Sequence, residues 1–128
     1  MTDATLLTDG SLPAVRLERT LVDPPEVIDI TLTGEVLEVD EPRLLVYTWG
    51  DETLRFELSA DGAGTRLVLV DELPAGAAAR NAAGWDRCLD SLAGTTTPDP
   101  WSARFDVYVA AFEPAIGPQE GPPPGYKG

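Results

Sequence analysis

Among the acidic residues of the sequence, Asp71 is the one best placed to take part in chemistry. It continues the alternation of Leu67 and Leu69, and alternate residues of a strand point to the same face of a sheet. A carboxyl group on that face could anchor a ligand or carry a raised pKa. Because Asp71 stands at the end of the apolar run, we expect its side chain to lie exposed at the strand terminus.

Other candidates for chemistry are few. Cys88, the single cysteine, falls in the middle of a helical pattern, and the chain has no histidine that could activate its thiol, so we expect a small core residue. The absence of histidine also argues against triad chemistry and removes the commonest metal ligand. The segment "DGAG" (61–64) lies between two strand patterns and does not form a phosphate loop. The sequence therefore predicts no catalytic residue, no metal site and no cofactor, and hence a protein that is not an enzyme.

Length and charge narrow the classes of partner. The 128 residues suit one domain, and the net charge of −13 disfavours nucleic acid and anionic membrane surfaces, which both require clustered basic residues. A single cysteine excludes an internal disulfide and favours a reducing compartment. No signal peptide and no apolar run of membrane-spanning length is visible, so we expect a cytoplasmic protein.

Strand patterns fill the first half of the chain. After a lead-in (1–13), apolar residues alternate with polar ones in five successive runs, and turns are predicted at 40–43 and 61–64. Short turns between successive strands favour an antiparallel sheet. The segment "DPPEVIDITL" (23–32) is unusual, because residues typical of a helix start run directly into a strand pattern. The bulky residues predicted to face inward include Leu45, Tyr47, Trp49, Leu54, Phe56 and Leu58.

Two helices follow the strands. In the first, Ala78, Ala82, Trp85, Leu89 and Leu92 recur at helical spacing, which is typical of a helix packed on a sheet, and Gly94 ends it. A linker and a second helix (95–113) come next, and the Pro/Gly-rich tail (114–128) has no periodicity. The second helix has an aromatic face that either packs on the same molecule, which we favour, or meets a partner or a second copy: Trp101, Phe105, Tyr108 and Phe112.

Four segments carry a resemblance to a known family: "VRLERTLVDPPEV", "GEVLEVDEPRLLVYTWG", "LRFELSADGAGTRLVLV" and "AAGWDRCLDSLAG". They are similar to the START-like (SRPBCC) superfamily, and most similar to the branch named after the activator of heat-shock protein 90 ATPase. The resemblance covers residues 14–94. It implies an α+β helix-grip fold, in which a curved antiparallel sheet grips a long C-terminal helix. It also implies that a helix pair and an adjacent strand are lacking between Val27 and Ile28, which would expose a sheet edge.

The resemblance further implies a pocket between the sheet and the first of the two predicted helices. The matching positions are Tyr47, Trp49, Phe56, Leu58, Leu67, Leu69, Asp71, Trp85 and Leu89. Apolar alternation reports burial before it reports a cavity, so for any single one of these residues we favour a position that fills the core. We expect a non-catalytic domain that binds a small apolar or amphipathic molecule. The alternative is a protein-interaction or co-chaperone-like module, as a homodimer or with a chaperone partner.

Overall fold

A six-stranded antiparallel sheet and two α-helices form the described part of the protein. The computed structural model describes residues 4–10, 12–21, 34–94 and 100–121. The predicted helix start and strand at 23–32, and with them the junction between Val27 and Ile28, lie outside the described residues. The strands are β1 (Thr5–Leu7), β2 (Ala14–Leu21), β3 (Val36–Asp40), β4 (Leu44–Trp49), β5 (Glu52–Asp61) and β6 (Gly64–Glu72), and their order in the sheet is β1-β2-β6-β5-β4-β3.

Strand register confirms which side chains share the inner face of the sheet. In the β5–β6 hairpin Leu54 lies opposite Asp71, Phe56 opposite Leu69, and Leu58 opposite Leu67. The hairpin turns at Gly62, whose φ of 58° is in the left-handed region that favours glycine. Alternation at a period of two was therefore sufficient to predict the inward phase of these strands.

The inner face is covered by the helix α1 (Ala78–Leu92), which follows a 3₁₀ turn at Ala75–Ala77. Small side chains let α1 approach the sheet closely, since Ala78, Ala79, Ala82 and Ala83 are all fully buried. They share one core cluster with Val15, Leu17, Leu54 and Leu69. The predicted α+β helix-grip architecture is confirmed: a curled sheet holds a long helix, and the described strands do not close into a barrel.

The ends of the chain are more ordered than the sequence suggested. Thr5–Leu7, inside the predicted lead-in, forms β1 and pairs with the start of β2. The helix α2 (Trp101–Ile116) runs past residue 113, and Ile116 packs against the core. A proline usually ends a helix, but Pro114 lies only two residues before the end of α2, where it interrupts little of the hydrogen-bonded ladder.

Part of the predicted unstructured tail caps α1. The Gln119 side chain accepts a hydrogen bond from the Ala79 backbone N–H at 2.8 Å and donates one to the Ala75 carbonyl at 2.9 Å. The α1 N-cap residue Ala77 has no side-chain oxygen that could cap the helix. Gln119 therefore supplies from a distance the cap that the local sequence lacks.

The aromatic face of α2 packs on α1 of the same chain. Trp101, Tyr108 and Phe112 are buried, and Phe105 packs partly buried against the same core. Of the two alternatives for this face, the intramolecular one is correct, and its prediction as a partner or dimer surface is corrected. Burial of the aromatic rings against α1 leaves little apolar surface there for a partner.

A buried ionic network accompanies these aromatic residues. Arg104 Nη1 lies 3.0 Å from Asp90 Oδ2 and 3.7 Å from Asp86 Oδ1, and the Tyr108 hydroxyl donates to Asp86 Oδ2 at 2.9 Å. Arg104 and Asp86 are almost completely inaccessible to solvent. The sequence did not reveal this network, because a lone arginine among aromatic residues on a helix gives no periodic signal.

Candidate functional site

A cavity of about 310 Å³ lies on the inner face of the sheet, at the end of the sheet where β3 turns into β4. Strands β4, β5 and β6 form its floor, and the β3–β4 turn forms one side. Its lining is apolar except for one carboxylate: Val39, Glu41, Pro42, Leu44, Leu45, Phe56, Leu58 and Leu67. A concave apolar surface with few polar groups is typical of a small-molecule site.

Three of the predicted pocket residues line this cavity, namely Phe56, Leu58 and Leu67. The lining residues on β3, β4 and the turn between them were missed as pocket residues. The alternation in β4 had placed Leu45 on the inner face and could have included it. The turn residues Glu41 and Pro42 carry no periodic signal, so only the folded chain shows that they form the cavity side.

Two predicted pocket residues belong to the core. Leu69 and Leu89 are buried and sit in the main core cluster, in which α1 packs on the sheet. The alanine-rich face of α1 lets the helix pack close to the sheet, and neither of these two side chains is more than 3% exposed. Neither residue lines the cavity at the end of the sheet, and their assignment to a pocket stays a prediction.

An aromatic cluster separates the cavity from the other end of the inner face. Tyr47 stacks on Phe56 with ring centroids 5.9 Å apart, and Phe56 meets Trp85 edge-on at 6.2 Å. Trp49 also meets Trp85 edge-on, with ring centroids 6.0 Å apart. The Trp49 side chain is 41% exposed. Phe56 thus belongs both to the cavity wall and to the aromatic cluster, which links the cavity to α1.

Asp71 lies behind this cluster and is completely buried, so the expectation of an exposed carboxyl at a strand terminus was wrong. The chain turns after β6 at the 3₁₀ segment, and α1 then brings Trp85 into contact with Asp71. The Trp85 indole Nε1 donates to Asp71 Oδ2 at 3.2 Å. Burial, followed by a hydrogen bond and charge repulsion from Glu52, raises the pKa of Asp71 to about 8.

Cys88 lies on the exposed face of α1, which corrects its assignment as a core residue. Its neighbour Leu89 is about 100° further round the helix and takes the core position instead. Within the described ranges, His, Cys, Asp and Glu nowhere gather in groups that could hold a metal ion. None of the helices described is both long and apolar enough to cross a bilayer.

Structural comparison identifies similar folds in solved structures of other proteins. The crystal structure of CalU16 from Micromonospora echinospora is 17% identical and superposes with a TM-score of 0.60, covering 89% of this chain and 94% of CalU16. A conserved protein of unknown function, EF2215 from Enterococcus faecalis, is 15% identical with a TM-score of 0.66, covering 84% of this chain and 89% of EF2215. At these identities the likeness shows a shared fold.

Sequence comparison is more specific. A search of curated proteins found no significant match to the chain. Residues 19–97 match the sequence profile of the family described as "Activator of Hsp90 ATPase homolog 1-like protein", which covers more than half of the chain. This match spans strands β3 to β6 and the whole of α1, and it agrees with the resemblance read from the four segments. The chain therefore belongs to the family of activator of Hsp90 ATPase homolog 1-like proteins.

Proposed function

We propose that this protein binds a small apolar or amphipathic molecule in the cavity at the end of the sheet, without catalysing a reaction on it. The observation that carries the proposal is the lining of this cavity, in which seven of the eight residues named above are apolar and only Glu41 is charged. Ligand cavities in proteins usually begin at about 300 Å³, so this one suits a small ligand.

The exposure of the lining supports this proposal. Leu45 and Leu58 are each 37% exposed although their side chains point to the inner face. Covering apolar surface of this kind with an apolar ligand contributes roughly 25 cal/mol per Å² removed from water. An amphipathic ligand would place its apolar part between these leucines and its polar end near Glu41, which lies at the turn.

A matched pair of variants tests the site. Leu58→Asp puts a charge into the cavity lining, whereas Leu37→Asp puts the same charge on exposed β3, outside the lining. We expect fluorescence titration with the neutral probe N-phenyl-naphthylamine to show saturable binding to the parent protein. We expect Leu58→Asp to weaken binding about tenfold or more, since the apolar probe must then pack against an ionised group.

The control decides the interpretation of this titration. Leu37→Asp should bind the probe as the parent protein does, because Leu37 does not contact the cavity. Equal binding by both variants, or no saturable binding by the parent, would contradict the proposed site. Circular dichroism at the titration temperature shows whether each variant is folded.

A second candidate function is protein interaction at β3, the strand at one edge of the described sheet. Val36, Leu37 and Val39 are each more than half exposed there, and acidic residues accompany them. A second copy of the chain would bring the acids of two β3 strands together, which is unfavourable. We infer that the occupant is an extended segment of a partner, such as a chaperone, in which basic and apolar residues alternate.

A pair of labelled peptides tests this second candidate. Fluorescence anisotropy with an alternating valine–lysine peptide should show binding that weakens as salt is added, because the attraction is between surface charges. The matched valine–glutamate peptide should not bind. Equal affinity for both peptides would rule out charge-directed pairing at β3.

A cytoplasmic location remains a prediction, supported by the single cysteine.

A further inference from the structure

Two side chains of α1 donate hydrogen bonds to the sheet, each to one of two neighbouring carboxyl groups. Trp85 Nε1 donates to Asp71 Oδ2 at 3.2 Å, and Asn81 Nδ2 donates to Glu52 Oε1 at 2.6 Å. Asp71 belongs to β6 and Glu52 to β5. Leu54 lies directly opposite Asp71, so Glu52 is the diagonal neighbour on the same face of the sheet.

In the described part of the chain, no positive charge is among the groups that act on Asp71. Facing Asp71 are Glu52 from β5, Tyr47 from β4, Asn81 and Trp85 from α1, and the apolar Val15 from β2. Asp71 is completely buried, and its Oδ1 receives no hydrogen bond from any described donor. Two carboxylates in such a place would repel each other and lack solvation, whereas one shared proton satisfies Oδ1.

We propose that Asp71 and Glu52 share a single proton, and that this proton is the latch that holds α1 against the sheet. With the proton present, one carboxyl group of the pair is neutral and donates a hydrogen bond to the carboxylate of the other, and both α1 side chains keep their acceptors. When the proton passes to solvent, two anions face each other beneath α1. The hydrogen bonds from Trp85 and Asn81 favour the charged form, but burial and the charge of Glu52 outweigh them, so α1 moves away from the sheet at this point and admits water to the pair.

Trp85 and Phe56 connect the Asp71–Glu52 pair to the cavity. Trp85, which bonds to Asp71, contacts Phe56 edge-on, and Phe56 lines the cavity. When α1 moves away from the sheet, Trp85 moves with it and no longer supports Phe56 in the cavity wall, so binding of a neutral apolar ligand weakens at alkaline pH. This last step rests on the proposed ligand function, whereas the latch itself does not.

The pKa of Asp71, raised to about 8, indicates where the latch acts. Burial is the first cause of this rise in the pKa of Asp71, the hydrogen bond and charge of Glu52 add to it, and the hydrogen bonds from Trp85 and Asn81 oppose it. Burial raises the pKa of the Tyr47 hydroxyl, and the charge of Asp71 is the second cause of that rise. The latch is therefore closed at neutral pH and opens in the mildly alkaline range.

The resonance of the Trp85 indole N–H in two-dimensional NMR spectra of the full chain reports the latch without any ligand. We expect it to shift in a single step with a midpoint near pH 8. Asp71→Asn, which keeps an acceptor for Trp85 and a donor for Glu52, should abolish the step. Glu52→Gln should move the step to lower pH, because the repelling charge is removed. Glu72→Gln, next to Asp71 but exposed, should leave the step unchanged.

Probe binding at about pH 6 and about pH 10 then tests the connection to the cavity. We expect the affinity for N-phenyl-naphthylamine to fall about threefold or more in the parent protein and to stay constant in Asp71→Asn. A Trp85 step that is missing, or that persists in Asp71→Asn, overturns the latch. A normal Trp85 step with pH-independent probe affinity overturns the connection to the cavity. Absence of probe binding at both pH values overturns the ligand function, and the Trp85 step still decides the latch.

Discussion

Replacing Arg104 by alanine is expected to destabilise the protein by about 3–5 kcal/mol, the cost typical of removing one partner from a buried ion pair. The guanidinium lies between Asp90 and Asp86 in the α1–α2 interface, and Asp86 is completely buried. Without the arginine, Asp86 loses this buried ion pair and keeps the hydrogen bond from the Tyr108 hydroxyl. Chemical denaturation followed by circular dichroism measures the loss of unfolding free energy.

Two further variants separate the contribution of the Arg104 charge to stability from the contribution of its packing. Arg104→Met keeps a long apolar side chain in the interface, so it should lose nearly as much stability as Arg104→Ala if the charge is the main contribution. Arg87→Ala removes an arginine from the exposed face of α1 and should change stability by about 0.5 kcal/mol or less. A loss of less than about 1 kcal/mol for Arg104→Ala would mean that α2 does not depend on this network.

The unfolding free energy of the protein should fall as the pH rises from about 5 to about 9, and Asp71 should account for much of the fall. The pKa of Asp71 is about 8 in the folded protein against 3.8 for a free carboxyl. Between these values the folded state holds a proton that the unfolded state has lost. Raising the pH therefore favours unfolding, by an amount on the order of a few kcal/mol across the range.

Comparison with Asp71→Asn isolates this contribution. The net charge of −13 also makes the fold less stable as the pH rises, and it acts almost equally on both proteins. The difference between the two unfolding free energies should therefore change with pH, in favour of Asp71→Asn above neutrality. Parallel stability curves for the two proteins would show that Asp71 is not protonated in the folded state at neutral pH.

Much of the fold could be predicted because it depends on regular alternation. The inward phase of Leu54, Phe56 and Leu58 followed from a period of two, and the packed face of α1 followed from recurrence at three and four residues. The turns at 40–43 and 61–64 were found from Pro, Gly and Asp chemistry. These features depend on residues that are close together along the chain, so a single sequence is sufficient to predict them.

The features that the sequence missed depend on contacts between distant segments. Burial of Asp71 involves contact with α1, and the capping of α1 requires Gln119, which lies 40 residues further along the chain than Ala79. The cavity side at Glu41 and Pro42 likewise exists only because the β3–β4 turn stands next to β5 and β6. Alternation predicted which residues face inward, but it could not tell filled core from open cavity.

The central claim is that the apolar cavity at the end of the sheet holds a small ligand, and NMR chemical-shift mapping tests it most directly. Amide spectra of the isotope-labelled protein would be recorded while N-phenyl-naphthylamine is added. We predict saturable shifts that are largest at Leu45, Phe56, Leu58 and Leu67, on the three strands that form the cavity floor. Shifts confined to Val36 and Leu37 on the exposed β3 strand, or no saturable shift at all, would contradict the claim.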